Sequence, residues 1–575
     1  MRSRTDARPP RRDGGNGPGR VRPGRDGDRD DRRSSGGRGE HRGRRDSSSR
    51  ESRPTPPPPS APFDVTLTDL ALSGESYVES KGDTIYVDGG IPGEKVRVRI
   101  IDRSEDGVKA ELLSVLEPSP HRVKPACPHA GVCGGCSSQH VAYAEQLRQK
   151  THLLDGLLED TFGPGKPPVM PMIGMKTGED DVPRHFRQKA AFTFTADDTG
   201  RLQIGHYARG THTVVPVTEC LVHSERANAI AFAIKDAMAA QHIPVATDRG
   251  GLLRHVVVRS TEDGSEAVAV VVATEEHPAL SAPLRRISES RQKPDGLLLN
   301  LHDQASPYLF GPHTIRIAGL GHVKETALGP SFLSSPTGFF QTNIQGAGHL
   351  VRLVLEAVGK EKPLKVLDLY SGSGLFALPL ALANHRVTAV EESRKASREA
   401  AKNAQLSGIP ESRLRLMPSK VEEAIEHLIP QEWDAVVIDP PRSGCPDEVM
   451  RTLTRKLAPE KLVIVSCNPE ALMDEMRIAF DAGYRASLVQ PVDLFPHTPH
   501  IETVVVLELK HRARTAARTE RSTAYLSGRR ERPPVAGGQT PPSESKPREF
   551  KPKKKAAPKP AKPWDRMPKR TPPGK

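Results

Sequence analysis

Aromatic side chains are scarce in this sequence: they make up 4% of its 575 residues, with 2 Trp and 8 Tyr. Apolar residues of all kinds reach only 36%. A chain so composed is not expected to be globular throughout, because part of it cannot bury enough apolar surface to offset the entropy of ordering. No apolar run approaches the roughly 20 residues that a membrane-crossing helix needs. The arginine-rich N-terminus contains no apolar core, which argues against a secretory signal and for a cytoplasmic protein. Cysteine is also sparse, at six positions: Cys127, Cys133, Cys136, Cys220, Cys445 and Cys467. In a long chain without such a signal, thiols point to metal or catalytic chemistry rather than to a disulfide framework.

Positive charge is missing from the middle of the chain. The formal net charge is +13. Residues 1–53 hold 17 Arg against 9 acidic residues, and residues 510–575 hold 20 Lys and Arg against 5, so the body 54–509 is net −10. Net charge therefore does not argue that the body binds a polyanion; any nucleic-acid site there must be local. The 54 prolines also concentrate towards the ends. Residues 1–62 read as an Arg/Gly/Pro-rich disordered tail, either a solvated linker or an arm that adheres weakly to phosphates. Residues 511–575 read as a second, basic disordered tail.

Between the tails the pattern changes three times. Residues 63–118 contain short β-type runs at 65–72, 84–87, 95–101 and 108–115 with glycine-containing turns, which suggests a small barrel of the oligonucleotide-binding type. Residues 119–335 hold the cysteine group and further strands, and read as a central α+β domain. From 336 to 510, helices and strands alternate, as in a doubly wound α/β sheet.

Three strand ends in that last segment carry chemistry. The run Lys365–Leu369 leads into Tyr370-Ser371-Gly372-Ser373-Gly374 and a helix, the geometry that seats a ligand over the carboxyl end of a first strand. Glu391 ends the next strand, where a carboxylate can accept two ribose hydroxyls; the plainer alternative is a helix N-terminal charge. Asp439-Pro440-Pro441-Arg442 follows an apolar strand, and its prolines suit a rigid pocket wall. Dinucleotide-binding and methyltransferase readings both remain open at this point.

Ser466-Cys467-Asn468-Pro469 places a thiol at another strand end, before a helix whose dipole should favour the thiolate. Position alone does not distinguish a nucleophile from a small buried hydrophobe. Glu502, in His500-Ile501-Glu502-Thr503, opens a strand beside a proline-stiffened loop. Partial burial would make it a better base near neutrality.

Together with Phe339-Phe340-Gln341-Thr342-Asn343, the order and spacing of these motifs resemble the uracil-5 RNA methyltransferase family over roughly residues 63–509. The resemblance implies a class I, Rossmann-like methyltransferase domain at 336–510 and a TRAM domain at 63–118. It implies an S-adenosylmethionine-dependent enzyme in which Gln341, Tyr370, Glu391 and Asp439 contact the methyl donor. Cys467 would add to carbon 6 of uracil, making carbon 5 an enolate-type nucleophile, and Glu502 would then remove the carbon 5 proton. Arg442 is a candidate contact to the uracil or a phosphate. Departures from the family pattern at Ser371, Ser373, Leu375 and Gln188 touch neither the nucleophile nor the base.

Cys127, Cys133 and Cys136 lie within ten residues, and the fold could bring Cys220 to them. Spacing alone favours zinc. The resemblance implies instead a 4Fe–4S cluster, with zinc the lesser alternative. The segments Arg184–Lys189 and Gly251–His255 match family segments and are candidate RNA-contact strands. The partner is expected to be RNA, with 23S ribosomal RNA favoured over transfer RNA, and the protein a monomer. Two rivals stand: methylation of an amino group on a base, for which Arg442 replaces the usual aromatic residue and Cys467 is superfluous, and a non-catalytic RNA-binding assembly factor.

Overall fold

The computed structural model describes residues 60–509 apart from 106 and 304–307. Except for residues 60–62, both expected tails lie outside the described residues. Among the described residues, no helix is long and apolar enough to cross a membrane.

Residues 63–117 form a six-stranded sheet that wraps a core of Leu67, Val78, Ile85, Val87, Val96, Val98, Val108 and Ala110. The alternation in Lys95–Ser104, with Val96 and Val98 buried between exposed neighbours, is the period of two that gives a strand one apolar face. The strand Ser76–Ser80 was not foreseen from the sequence. Arg122 closes this unit onto the following segment, with two hydrogen bonds of 2.6 Å to the buried Glu94 carboxylate and one of 2.7 Å to Gly89 O.

A second, seven-stranded sheet spans residues 189–319, and the helices Glu225–Ala239 and Ser281–Glu289 share its core. Its interior strand Ala267–Ala273 is buried at every position, which explains the unbroken apolar run.

The third large sheet carries the site. Its strands are β1 Lys365–Leu369, β2 Arg386–Glu391, β3 Leu414–Pro418, β4 Ala435–Ile438, β5 Lys461–Ser466, β6 Tyr484–Val492 and β7 Glu502–Leu509. Their order is β3-β2-β1-β4-β5-β7-β6. The first five run parallel, while β7 is antiparallel to both β5 and β6. Parallel strands with helical crossovers bring all their carboxyl ends to one edge, and the order reverses beside β1, where ligands bind in such sheets.

One helix belongs to this sheet although it lies far upstream in sequence. Tyr143–Phe162 buries Leu154 and Leu158 in the core formed by β1, β4, β5 and β7. The chain after it runs along β6, with Met170 N–H donating to Val489 O at 2.9 Å and Ile173 N–H to Pro491 O at 3.0 Å. This covers an edge that would otherwise be open.

Candidate active site

Four of the residues singled out from the sequence stand in one row. Register pairs Leu369 with Val390 and with Ile438, and Ile438 with Ile464. Glu391, Tyr370 and Asp439 therefore leave their strands side by side at the same edge, and Cys467 follows the end of β5. Ser466 pairs with Thr503 in the antiparallel ladder, so the next step outward sets Cys467 opposite Glu502.

The glycine loop is held by Glu391. One carboxylate oxygen accepts the Gly372 N–H at 2.9 Å and the other the Ser393 N–H at 2.7 Å. Tyr370, although not glycine, has φ of 62°, and Gly374 has φ of 95° with a Cβ there landing 1.9 Å from Leu378. The loop thus hugs the helix behind it and presents backbone forwards. Asp368, fully buried in β1, has no hydrogen-bond partner of good geometry for either oxygen. Burial first, and then the Asp439 carboxylate, push its carboxyl well above the ordinary range. Sequence reasoning assigned Asp368 no role. Its orphaned oxygens, a backbone-lined loop and the Glu391 carboxylate fit a ligand rich in hydroxyl and amino groups.

The Phe339–Asn343 segment is gripped from the central sheet. Arg259, buried and stacked on the Phe340 ring at 5.3 Å, donates to Phe340 O at 3.3 Å and Gln341 O at 2.8 Å. Gln188 N–H donates to Thr342 O at 2.7 Å and Lys189 Nζ to Gly338 O at 3.1 Å. Asn343 caps the helix Ile344–Val358 through Gly346 N–H and ties it to Leu494 O at 2.9 Å. Lys189 therefore faces inward and Arg187 lines the cysteine cavity described below, so the Arg184–Lys189 segment is not simply an outward RNA-contact strand.

Around the thiol, Asn468 accepts the Glu470 N–H at the start of the helix Pro469–Asp481 and donates to Arg442 O at 2.9 Å, linking the Pro-Pro loop to the cysteine loop. Arg442 Nη2 lies 3.5 Å from His500 Nε2. Burial pushes the Cys467 thiol up to about 11, the carboxylates of Glu502 and Asp439 add to it, and Arg442 and a hydrogen bond with the Cys467 backbone oppose them. Glu502 is 3% exposed, and burial with a contribution from Asp439 pushes its carboxyl up to about 8. Burial pushes Asp439 up to about 7. Tyr370 was expected at the donor; its hydroxyl lies 3.7 Å from Cys445 Sγ, a thiol the sequence gave no role.

The loop before Glu502 is clamped by the upstream helix. Lys150 Nζ donates to Asp493 Oδ1 at 2.6 Å, and Tyr143 Oη to Asp493 Oδ2 at 2.8 Å. Gln146 Oε1 accepts the His497 N–H at 3.0 Å, while His497 O accepts the N–H of Ser137 at 2.8 Å. Ser137 is the neighbour of Cys136, so the cysteine segment touches the loop that leads to Glu502.

Cys127, Cys133, Cys136 and Cys220 line one cavity of about 220 Å³ together with His129, Arg187, His206 and His223. Burial pushes the Cys136 thiol up to about 12, and the neighbouring thiols contribute. Four soft donors lining one cavity fit a metal ion or an iron–sulfur cluster, although among the described residues the ligand-type atoms that meet within 4.8 Å are those of His206, Cys220 and His223.

A doubly wound sheet with a glycine loop at β1 and acidic strand ends defines the class: this is an S-adenosylmethionine-dependent RNA methyltransferase, as its relatives establish. An uncharacterized RNA methyltransferase from Caldanaerobacter subterraneus subsp. tengcongensis is 32% identical over 452 residues, covering 78% of this chain and 98% of the relative. Another from Gloeobacter violaceus is 32% identical over 453 residues, covering 77% and 96%. The family described as tRNA (Uracil-5-)-methyltransferase matches residues 332–510. The chain belongs to the RNA uracil-5 methyltransferase family. Its fold is shared with the crystal structure of Pyrococcus abyssi tRNA (uracil-54, C5)-methyltransferase in complex with S-adenosyl-L-homocysteine. That likeness has a TM-score of 0.62 at 24% identity, covering 77% of this chain and 99% of the other.

Proposed function

We propose that the chain methylates carbon 5 of one uridine in RNA through a transient bond between Cys467 Sγ and carbon 6 of the ring. The observation that carries this reading is the juxtaposition of a half-buried thiol and a buried carboxyl at adjoining ends of β5 and β7. S-adenosylmethionine is the co-substrate that supplies an electrophilic methyl group. Glu391, Tyr370, Gln341 and Asp439 are the residues assigned to hold it, with Glu391 placed to accept ribose hydroxyls on lone pairs left free by its two backbone bonds.

The thiol adds to carbon 6, and the ring electrons make carbon 5 nucleophilic enough to take the methyl. Glu502 then accepts the carbon 5 proton, and the electron pair of that C–H bond re-forms the double bond as the sulfur leaves. A carboxyl raised to about 8 has a conjugate base strong enough to take the proton, and the ionised form gains population as pH rises towards 8. The raised thiol sets the other condition. Arg442 is the cation that favours its ionised form, so Arg442 is assigned to stabilise the thiolate as well as to contact substrate. Adduct trapping with an RNA carrying 5-fluorouridine tests the assignment: a fluorine at carbon 5 cannot be removed as a proton, so the protein should be held covalently on the RNA at Cys467. Absence of that adduct with donor present overturns it.

The four cysteines are assigned to a 4Fe–4S cluster ahead of zinc, and 23S ribosomal RNA is favoured as substrate. The support is the β-rich unit 63–117 and the cysteine cavity, two features beyond the methyltransferase domain. Transfer RNA is the second reading, favoured by the name of the matching family and of the Pyrococcus relative. Mass spectrometry of both RNA pools from cells lacking the protein distinguishes them, because 5-methyluridine should disappear from one pool alone.

A further inference from the structure

The cysteine cavity has a second wall made of nitrogen. Arg187 Nε, His206 Nε2, His223 Nδ1 and His129 Nε2 are all buried without a hydrogen-bond partner, and all four residues line the same space as the cysteines. An orphaned polar atom in an interior costs on the order of 1–3 kcal/mol, so four around one cavity indicate an absent acceptor rather than four separate defects. Arg187 is the clearest case. Its Nε–H can only donate, its guanidinium is permanently charged, and among the described residues its Nε–H finds no acceptor. The groups near enough to favour its charge, when ionised, are the thiols of Cys220 and Cys136. His206, Cys220 and His223 each present a ligand-type atom, all within 4.8 Å of one another. Phe192 stacks on His206 at 4.9 Å and meets His223 edge-on at 5.1 Å, which fixes both imidazoles against that wall.

We propose that Arg187 is the counter-cation of a sulfur-rich anionic centre in this cavity, and that His206 and His223 hydrogen-bond its sulfur atoms. The inference rests on the four cysteines being the ligands. It adds that the centre carries more acceptor atoms than a single ion held by thiolates would offer, as an iron–sulfur cluster does. Hydrogen bonds and nearby positive charge both stabilise the more reduced, more negative form, so these residues set the reduction potential and the retention of the centre.

The test uses the full chain reconstituted with iron and sulfide under anaerobic conditions. Bound iron and acid-labile sulfide, the visible charge-transfer absorption, the midpoint potential and the rate of iron loss to a chelator are measured. Arg187→Gln should shift the midpoint potential to more negative values and hasten iron loss roughly tenfold or more. Arg187→Lys, which keeps the charge, should recover most of the potential, and His206→Leu should shift it less than Arg187→Gln. Equal melting of the metal-free chains separates these effects from misfolding. Arg187→Gln protein with the wild-type potential and iron retention overturns the inference alone. Wild-type protein that takes up neither iron nor sulfide, or a Cys136→Ser variant that holds them as well as wild type, overturns the ligand assignment beneath it.

Discussion

Replacing Glu502 by glutamine separates proton removal from the steps before it. Glutamine has nearly the same shape and cannot take the carbon 5 proton. The variant should add its thiol to the ring, accept the methyl and stop. Loss of a general base costs on the order of 10²–10⁴ in rate, so breakdown of the methylated adduct should slow by that factor while adduct formation survives. With labelled RNA and donor, a denaturing gel should show a trace of protein–RNA adduct for wild type and near-stoichiometric adduct for Glu502→Gln. The same substitution has a consequence for stability. The Glu502 carboxyl rises from its ordinary 4.5 to about 8, so the native chain holds a proton that the unfolded chain releases. That contribution is complete below about pH 4.5 and is lost as pH rises through about 8. Wild type should therefore lose about 3 kcal/mol between pH 5 and pH 8 that Glu502→Gln keeps, measurable by urea unfolding at the two pH values. Turnover by the variant at the wild-type rate refutes the catalytic assignment. Parallel pH dependence of the two stabilities refutes the electrostatic one.

Arg442→Ala removes the cation that opposes the raised thiol of Cys467; less thiolate forms at a given pH, so single-turnover adduct formation should slow at pH 7 and its rising limb should move to higher pH, and an unmoved profile would contradict this. Lys150→Met leaves the Asp493 carboxylate buried without its cation, at a cost of about 3–5 kcal/mol seen in urea unfolding; an unchanged midpoint would show that Tyr143 alone satisfies Asp493. Glu391→Ala should weaken donor binding in calorimetry by about 1.5–3 kcal/mol, with Cys467 adduct formation on 5-fluorouridine RNA restored at saturating donor; wild-type affinity would remove Glu391 from the donor site.

Much of the site was legible because a parallel sheet converts sequence into position with little freedom. Once Lys365–Leu369, Ala435–Ile438 and Lys461–Ser466 are strands of one such sheet, the residues that follow them must share an edge, whatever separates them in sequence. Tyr370, Asp439 and Cys467 could be placed together for that reason. The strand Leu414–Pro418 escaped notice because it lies at the sheet edge, with only Leu414 fully buried, and so has no apolar run. The helix Tyr143–Phe162 escaped for a different reason. Its buried face mixes Tyr143, Leu154 and Leu158 with Glu145, Gln146, Gln149 and Lys150, so the apolar period is interrupted over its first two turns, where its contacts are polar and its partners lie some 350 positions away.

Charge was the least legible property, and the errors share one cause. A helix N-terminus after Cys467 suggested that the thiolate is favoured, and the basic run Arg184–Lys189, matching a family segment, was a candidate RNA-contact strand. Both readings weigh a local feature that acts in water, whereas the structure removes water. Once Cys467 is half-buried beside Glu502 and Asp439, desolvation and two carboxylates raise its thiol despite the nearby Arg442. Arg187 is enclosed in the cavity with Cys136 and Cys220, and burial lowers its pKa. The active edge is thus a set of groups whose titration is shifted from that in bulk water: an Asp368 carboxyl pushed well above its ordinary range, a thiol raised to about 11 and a carboxyl raised to about 8. Such states persist only where the surrounding packing over-determines the geometry. The Lys150–Asp493 pair, the Gln146 clamp on His497 and the Arg259 grip on Gln341 meet that requirement here, each reaching the edge from outside the methyltransferase domain. The upstream segments are therefore part of the conditions under which Cys467 and Glu502 can react, and the substrate RNA must be recognised by a body that already holds its catalytic groups under electrostatic tension.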